Sequence, residues 1–343
     1  MPDISSLPNP KWGGVNEEAI LLGDFIAIET AILQLLGLTK TPTLQYVDAT
    51  STKVAASTDS PTSVMMLGFP DVVNPGQFIT GGLTDSTYRQ NTADAAMDFD
   101  VAASLWGTEK ASQWYAIYAI EGDPITSFDL KAMPIMRVKS QATQTISLGT
   151  NVTPATGIGY GFTTDELVGA SIYFISGASK GLIRPITANN NDSTTGGTVT
   201  YSGTALTVAA GDWFIVLPAT NFRLLGYIFN DASSNLGLFT QDGNEFSFSS
   251  LLVNPTGTYE NVTLCPPTAT QIFGSYHLVM GAGESVAIHT KDACALLVGT
   301  GSDSTEFSGA FTWPTYAPCT VKIVGTVTGH FRVYVHGYKI PGL

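Results

Sequence analysis

The stretch VKIVGTVTGHFRVYVHGY, residues 321–338, alternates apolar with polar or small side chains along most of its length. A period of two belongs to strands that turn one face to a core and the other to solvent. In HFRVYVH, His330, Arg332, Tyr334 and His336 fall on one face, opposite Phe331, Val333 and Val335. The same alternation recurs upstream in YHLVM, SVAIHT, CALLVGT and FSGAFTW, short segments at regular spacing. Residues 268–343 are therefore predicted to form a C-terminal antiparallel sandwich or jelly-roll-like unit.

Upstream the reading stays β. LQYVDA, TKVAAS and SVMMLGF are short strands, and QWYAIYAI (113–120) followed by SFDLKAMPIMRV makes a hairpin closing a first β domain, residues 41–145. SIYFISGASKGLIRPIT reads as a second hairpin, NNNDSTTGG as an exposed loop, and TVTYSGTALTV and DWFIVLP as further strands. LLGYIF is expected to pair with LGLFT, and EFSFSSLL to follow the Asp242–Gly243–Asn244 turn. Pro255, Pro266 and Pro267 mark the end of this second domain, residues 146–267. The predicted fold class is mainly β: an N-terminal helix, then two or three antiparallel β-sandwich or jelly-roll-like domains.

The helix is NEEAILLGDFIAIETAILQLLGL, residues 16–38. Leu21, Phe25, Ile28, Ile32 and Leu35 form a heptad seam, with Leu22, Ile26, Leu33 and Leu36 as a second stripe beside it. A helix apolar around most of its circumference needs cover from two sides, by its own chain and by copies of itself. Asn16 is a good N-cap, Glu17 and Glu18 suit the positive terminus, and Gly37 suits the stop. Glu18, Asp24 and Glu29 make a membrane span costly. Residues 1–15, with three prolines and two glycines, form an extended arm, and residues 1–40 together are expected to anchor and oligomerise the chain.

The 343-residue chain carries 28 acidic and 15 basic residues, a net charge of −13, which argues against nucleic acid as a partner. Charged residues are 13%, about half the usual share in soluble proteins, so the surface is either neutral and hydroxyl-rich or covered by partners. No secretory leader is evident in MPDISSLPNPKWGG, and synthesis in a cytoplasm is expected. Cys265, Cys294 and Cys319 are odd in number and lack a C-x-x-C pair, which favours reduced, buried thiols.

Catalytic readings are weaker than structural ones. Gly177-Ala178-Ser179-Lys180-Gly181 matches G-x-S-x-G, but the following LIRPIT is a poor helix, so a hairpin turn is preferred to a nucleophile elbow. Asp98 and Asp100 would share a strand face as paired carboxylates do, with nothing further to support acid/base work. His277, His289, His330 and His336 and all three cysteines lie in or next to the last unit. Yet His330 and His336 would stand about 20 Å apart along one strand and cannot share an ion. No metal, no cofactor and no enzymatic activity are expected. The face of His330, Arg332, Tyr334 and His336 is the candidate contact for a partner or glycan, against the plainer reading of a solvated outer face. Trp106, Trp114, Trp213 and Trp313 are read as core.

The stretches DFDVAASLWGTEKASQWYAIYAI (98–120) and LKAMPIMRVKSQATQTISLG (130–149) resemble structural proteins of tailed bacteriophages and prophages. So do GYGFTTDELVGASIYFISGASKGLIRPITANNN (159–191) and GDWFIVLP (211–218), which are also similar to β-modules of tail fibres and tailspikes. The resemblance spans roughly residues 40–250 and brings no active-site motif. It implies a virion setting, and the family type suggests a homotrimer. The arm and apolar helix of residues 1–40 are expected to bind other virion proteins. The C-terminal domain, which the resemblance does not reach, is the candidate for contact with a host-surface glycan. A tail-fibre or baseplate component is the leading expectation. A capsid-decorating or head-fibre protein is the alternative, and a glycan-cleaving tailspike the third reading.

Overall fold

The computed structural model describes residues 43–55, 65–68, 81–82, 88–91, 95–100, 104–121, 128–140, 143–149, 159–191, 197–218, 222–253, 259–263, 265–266, 268–291, 294–300, 305–315, 320–326 and 331–340. The helix seam of Leu21, Phe25, Ile28, Ile32 and Leu35 lies outside them, as does His330. The chain is mainly β, and the described residues form twenty-four strands. The first eight are β1 Thr43–Tyr46, β2 Ser51–Ala55, β3 Met65–Gly68, β4 Gly81–Gly82, β5 Tyr88–Asn91, β6 Ala95–Asp98, β7 Gln113–Glu121 and β8 Phe128–Pro134. Next come β9 Met136–Ser140, β10 Thr145–Gly149, β11 Ser171–Phe174, β12 Ile183–Asn189, β13 Thr198–Tyr201, β14 Trp213–Leu217, β15 Phe222–Asn230 and β16 Phe239–Asp242. The last are β17 Glu245–Val253, β18 Tyr259–Thr263, β19 Gln271–Met280, β20 Ser285–Lys291, β21 Cys294–Thr300, β22 Thr305–Pro314, β23 Thr320–Thr326 and β24 Phe331–Lys339.

Local sequence explains the hairpins. β7 and β8 pair antiparallel from Tyr115↔Pro134 to Glu121↔Phe128. Trp114 to Ala119 are buried without alternation, so β7, an inner strand of its sheet between β15 and β8, is covered on both faces. β11 and β12 pair across the Gly177–Gly181 turn, whose two glycines take φ of 75° and 84°. Gly243, at φ 57°, closes the tight turn from β16 to β17.

β9 to β14 close into a six-stranded barrel in the order β10-β13-β12-β11-β14-β9. Its neighbours pair antiparallel, and closure leaves no edge strand. Ile146, Leu148, Ile172, Phe174, Val199, Phe214 and Val216 are almost fully buried in its strands. Asn189, the first residue of the predicted loop, ends β12 instead. Asn189 is buried, its Nδ2 donating to Thr163 O at 2.7 Å and its Oδ1 accepting from Leu167 N at 2.8 Å.

Pairing crosses the expected boundaries at 145/146 and 267/268. β9 belongs to the barrel with β10, while β15 joins β4, β7 and β8 in a four-stranded sheet. β16 and β17 join β24, β19 and β22 in a five-stranded sheet, so the last strand of the chain pairs with one that precedes the proline link. LGLFT does not pair with LLGYIF as predicted: Phe239–Asp242 pairs with β17, and only an isolated bridge joins Asn230 to Leu236. β18, β23, β20 and β21 form a further four-stranded sheet.

The β15 sheet and the β17–β24 sheet meet through aromatic rings. A bulge at Leu224/Gly226 in β15 sets Gly226 directly beneath the Phe246 ring, where a Cβ would collide. The Tyr338 hydroxyl of β24 donates to Tyr227 O of β15. Phe246 and Tyr338 stack at 5.1 Å between centroids and 10° between planes.

Candidate functional site

β24 shows how the strand period builds the predicted contact face. Val333 and Val335 are fully buried, Arg332 and His336 exposed, and Tyr334 half-buried. Because β24 lies between β17 and β19, its outward side chains stand on a sheet rather than on a loop, which limits their motion. Register sets their neighbours: His277 of β19 is opposite Arg332, and Ser275 opposite Tyr334. On the far side of β19, His277 is opposite Ser308 of β22.

The His336 ring lies within hydrogen-bond distance of the Ser275 hydroxyl, 3.0 Å from Nε2 to Oγ. His277 Nε2 is 2.7 Å from Glu306 Oε1. Arg332, Tyr334 and His336 are thus brought together on one outer face, and Ser275 and His277 join them. The sequence placed His277 in a strand, but its neighbours depend on cross-strand register, which no local pattern reveals. The face offers a guanidinium, two imidazoles, a phenol and hydroxyls in a shallow array, suited to hydrogen bonding with a polyhydroxylated ligand.

The other motifs resolve into structural roles. Ser179 of G-x-S-x-G is buried, and its hydroxyl donates to Thr207 O at 2.7 Å. That bond ties the β11–β12 turn to the segment before β14. Asp98 Oδ1 accepts from Asp100 N at 2.8 Å, an Asx turn in place of two carboxylates aligned on one strand face. Cys265 is buried, as are Trp114, Trp213 and Trp313, and Trp106 packs partly buried against the core. Among the described residues no three His, Cys, Asp or Glu side chains gather as metal ligands. Among the same residues no helix is long and apolar enough to cross a membrane.

A second feature went unseen in the sequence. At the seam between the two aromatic-faced sheets lies a cleft of about 210 Å³, with Phe246 and Tyr338 among its buried lining and Trp114, Phe229 and Phe248 around them. Asp231 and Gly237 also line it and are not buried. Burial raises the pKa of Tyr227 and Tyr338, so both phenols are neutral over the physiological range. The only signal in the sequence was a density of aromatics in 226–248, which by itself reads as core.

No protein-family model and no curated protein matches the chain. Among solved structures, one titled as infectious bursal disease virus Gx strain aligns with 89% of this chain and 72% of its own, at 12% identity and a TM-score of 0.17. A likeness that low carries no argument about fold or role.

Proposed function

We propose that the protein is a non-enzymatic virion component of the tail-fibre or baseplate type in a tailed bacteriophage. Residues 1–40 attach it to other virion proteins and assemble it as a homotrimer through Leu21, Phe25, Ile28, Ile32 and Leu35. The five-stranded and four-stranded C-terminal sheets serve as the two layers of a sandwich that contacts a host-surface glycan. The resemblance of residues 98–149 and 159–218 to phage structural proteins supports the setting. The observation that carries the contact role is the outer face on which Arg332, Tyr334 and His336 stand beside Ser275 and His277. Rigid sheet faces with mixed aromatic and hydrogen-bonding groups fit sugars, whose rings have apolar faces and whose edges are hydroxyls.

The test has two arms. Immunogold labelling of particles should place the protein on the tail; label over the capsid shell overturns the tail assignment and supports capsid decoration. The variant Arg332→Ala/Tyr334→Ala/His336→Ala should reduce adsorption to host cells about tenfold or more while keeping the parent melting temperature, as expected where a few central side chains dominate an interface. Unchanged adsorption removes the contact face. Shortening of host polysaccharide by the purified protein would replace the non-enzymatic reading with that of a tailspike.

A further inference from the structure

We propose that the free edge of β22 pairs antiparallel with the same edge of a second copy of this chain, joining two five-stranded sheets across a twofold axis at Gly309. This contact is separate from the β24 outer face and does not depend on the virion reading. β22 is ten residues long and ends its sheet: β19 lies on one side, and among the described residues no strand pairs with the other. A row of unpaired N–H and C=O groups is a template for another strand, and folds usually blunt it with a lysine, an internal proline or a bulge. β22 has none of these. Its register against β19 runs unbroken from Gln271↔Pro314 to Met280↔Thr305, Pro314 is its last residue, and Glu306 is the one charge in TEFSGAFTWP.

Pro314 identifies the backbone groups that are free. It has no N–H, so its pairing with Gln271 is of the non-hydrogen-bonded kind, in keeping with the flanking bond from Thr315 N to Thr270 O at 3.1 Å. Alternation then turns the N–H and C=O of Trp313, Phe311, Gly309 and Phe307 toward β19, and those of Thr312, Ala310, Ser308 and Glu306 away from it. The last four residues are exposed, as is Phe307 at 37%.

These groups complement a second set of themselves. With the axis at Gly309, Glu306 falls opposite Thr312 of the second copy and Ser308 opposite its Ala310, and each such pair exchanges both N–H···O bonds. Every outward donor then has an acceptor. Centring the axis on Ala310 instead sets Glu306 opposite Pro314 and loses a donor. Charge agrees: the two Glu306 side chains stand six positions apart, roughly 20 Å, and each faces a neutral residue. Phe307 falls opposite Phe311 at a close, non-hydrogen-bonded position, so each copy covers the other's exposed ring. One strand edge falls short of the roughly 1,200 Å² of a stable interface. Pairing is therefore weak in dilute solution and counts where copies are already held together.

The experiment is sedimentation of the full chain at about 5 and about 500 μM, since a contact of this size is half-formed on the order of 100 μM. The weight-average mass should rise about 1.5-fold or more between the two. Ser308→Lys/Ala310→Lys leaves the bonds to β19 in place and sets lysines opposite lysines across the axis. Its mass should be the same at both concentrations, with the parent melting temperature. Ser308→Glu/Ala310→Glu should behave likewise, and an equimolar mixture of the two variants should regain the rise. Association through residues 1–40 is common to all samples and drops out of the comparison. A parent mass that does not rise, a lysine variant that rises like the parent, or a mixture no heavier than its components overturns the pairing. Amide exchange over 305–314 is the second readout: the outward amides should exchange fast in the dilute chain and slowly in the concentrated one. Slow exchange in the dilute chain means that the chain's own residues cover this edge, and also overturns the proposal.

Discussion

At Tyr118 a phenol hydroxyl is buried with no hydrogen-bond partner among the described residues. An unsatisfied buried hydroxyl costs about 1–3 kcal/mol, so Tyr118→Phe should raise stability by about 1 kcal/mol in urea unfolding. Tyr338 is the contrast: its hydroxyl donates to Tyr227 O, and Tyr338→Phe should cost about 1 kcal/mol. A drop on Tyr118→Phe would show that a partner holds the hydroxyl. Burial is the main cause raising the pKa of Tyr115, Tyr118, Tyr227 and Tyr338. These phenols stay protonated in the folded chain after the unfolded chain has begun to ionise, near pH 10. The unfolded state then binds fewer protons, so stability is complete below about pH 10 and falls above it, by about 1.4 kcal/mol per pH unit for each phenol. Urea midpoints between pH 8 and 11 should be flat and then drop steeply, with a shallower drop in Tyr118→Phe.

At the level of the element, β24 is the strand on which the C-terminal half depends. It is internal to its sheet, pairing with β17 from Glu245↔Lys339 to Val253↔Val333 and with β19 from Gln271↔Lys339 to Leu278↔Phe331. The Lys339–Glu245 ion pair, 2.8 Å apart and partly exposed, adds little. Backbone pairing and tight fit matter more. Gly337 has the Phe273 ring and Phe246 O where a Cβ would go. A backbone carbonyl cannot step aside, so Gly337→Ala should destabilise by about 3 kcal/mol. The same strand decides what can be cut. Residues 1–267 expressed alone leave β17 paired with β16 only, and 268–343 alone expose β24 along one edge. Residues 268–343 should not give a dispersed NMR spectrum by themselves, whereas their mixture with 1–267 should; independent folding of 268–343 would show that pairing with β17 is dispensable.

Across the whole molecule, the proposed assembly rests on the apolar circumference of residues 16–38. Phe25→Asp with Ile32→Asp should reduce the sedimenting species from trimer to monomer, and an unchanged species would remove the seam from the proposal. The sequence by itself determined that the chain is built from short antiparallel strands, which face of β24 is polar, and where the turns at Gly177–Gly181 and Gly243 fall. Those properties follow from side-chain alternation and from backbone freedom within a few residues. Only the tertiary structure decided that β9 to β14 close into a barrel, that β17 pairs with β24 across the proline link, and that His277 stands beside Arg332. It alone placed Trp114, Phe229, Phe248 and Tyr338 around one cleft. Alternation states which face of a strand is buried, but backbone hydrogen bonds are chemically alike in every strand, so partner and register are chosen by the packing of side chains far apart in the chain.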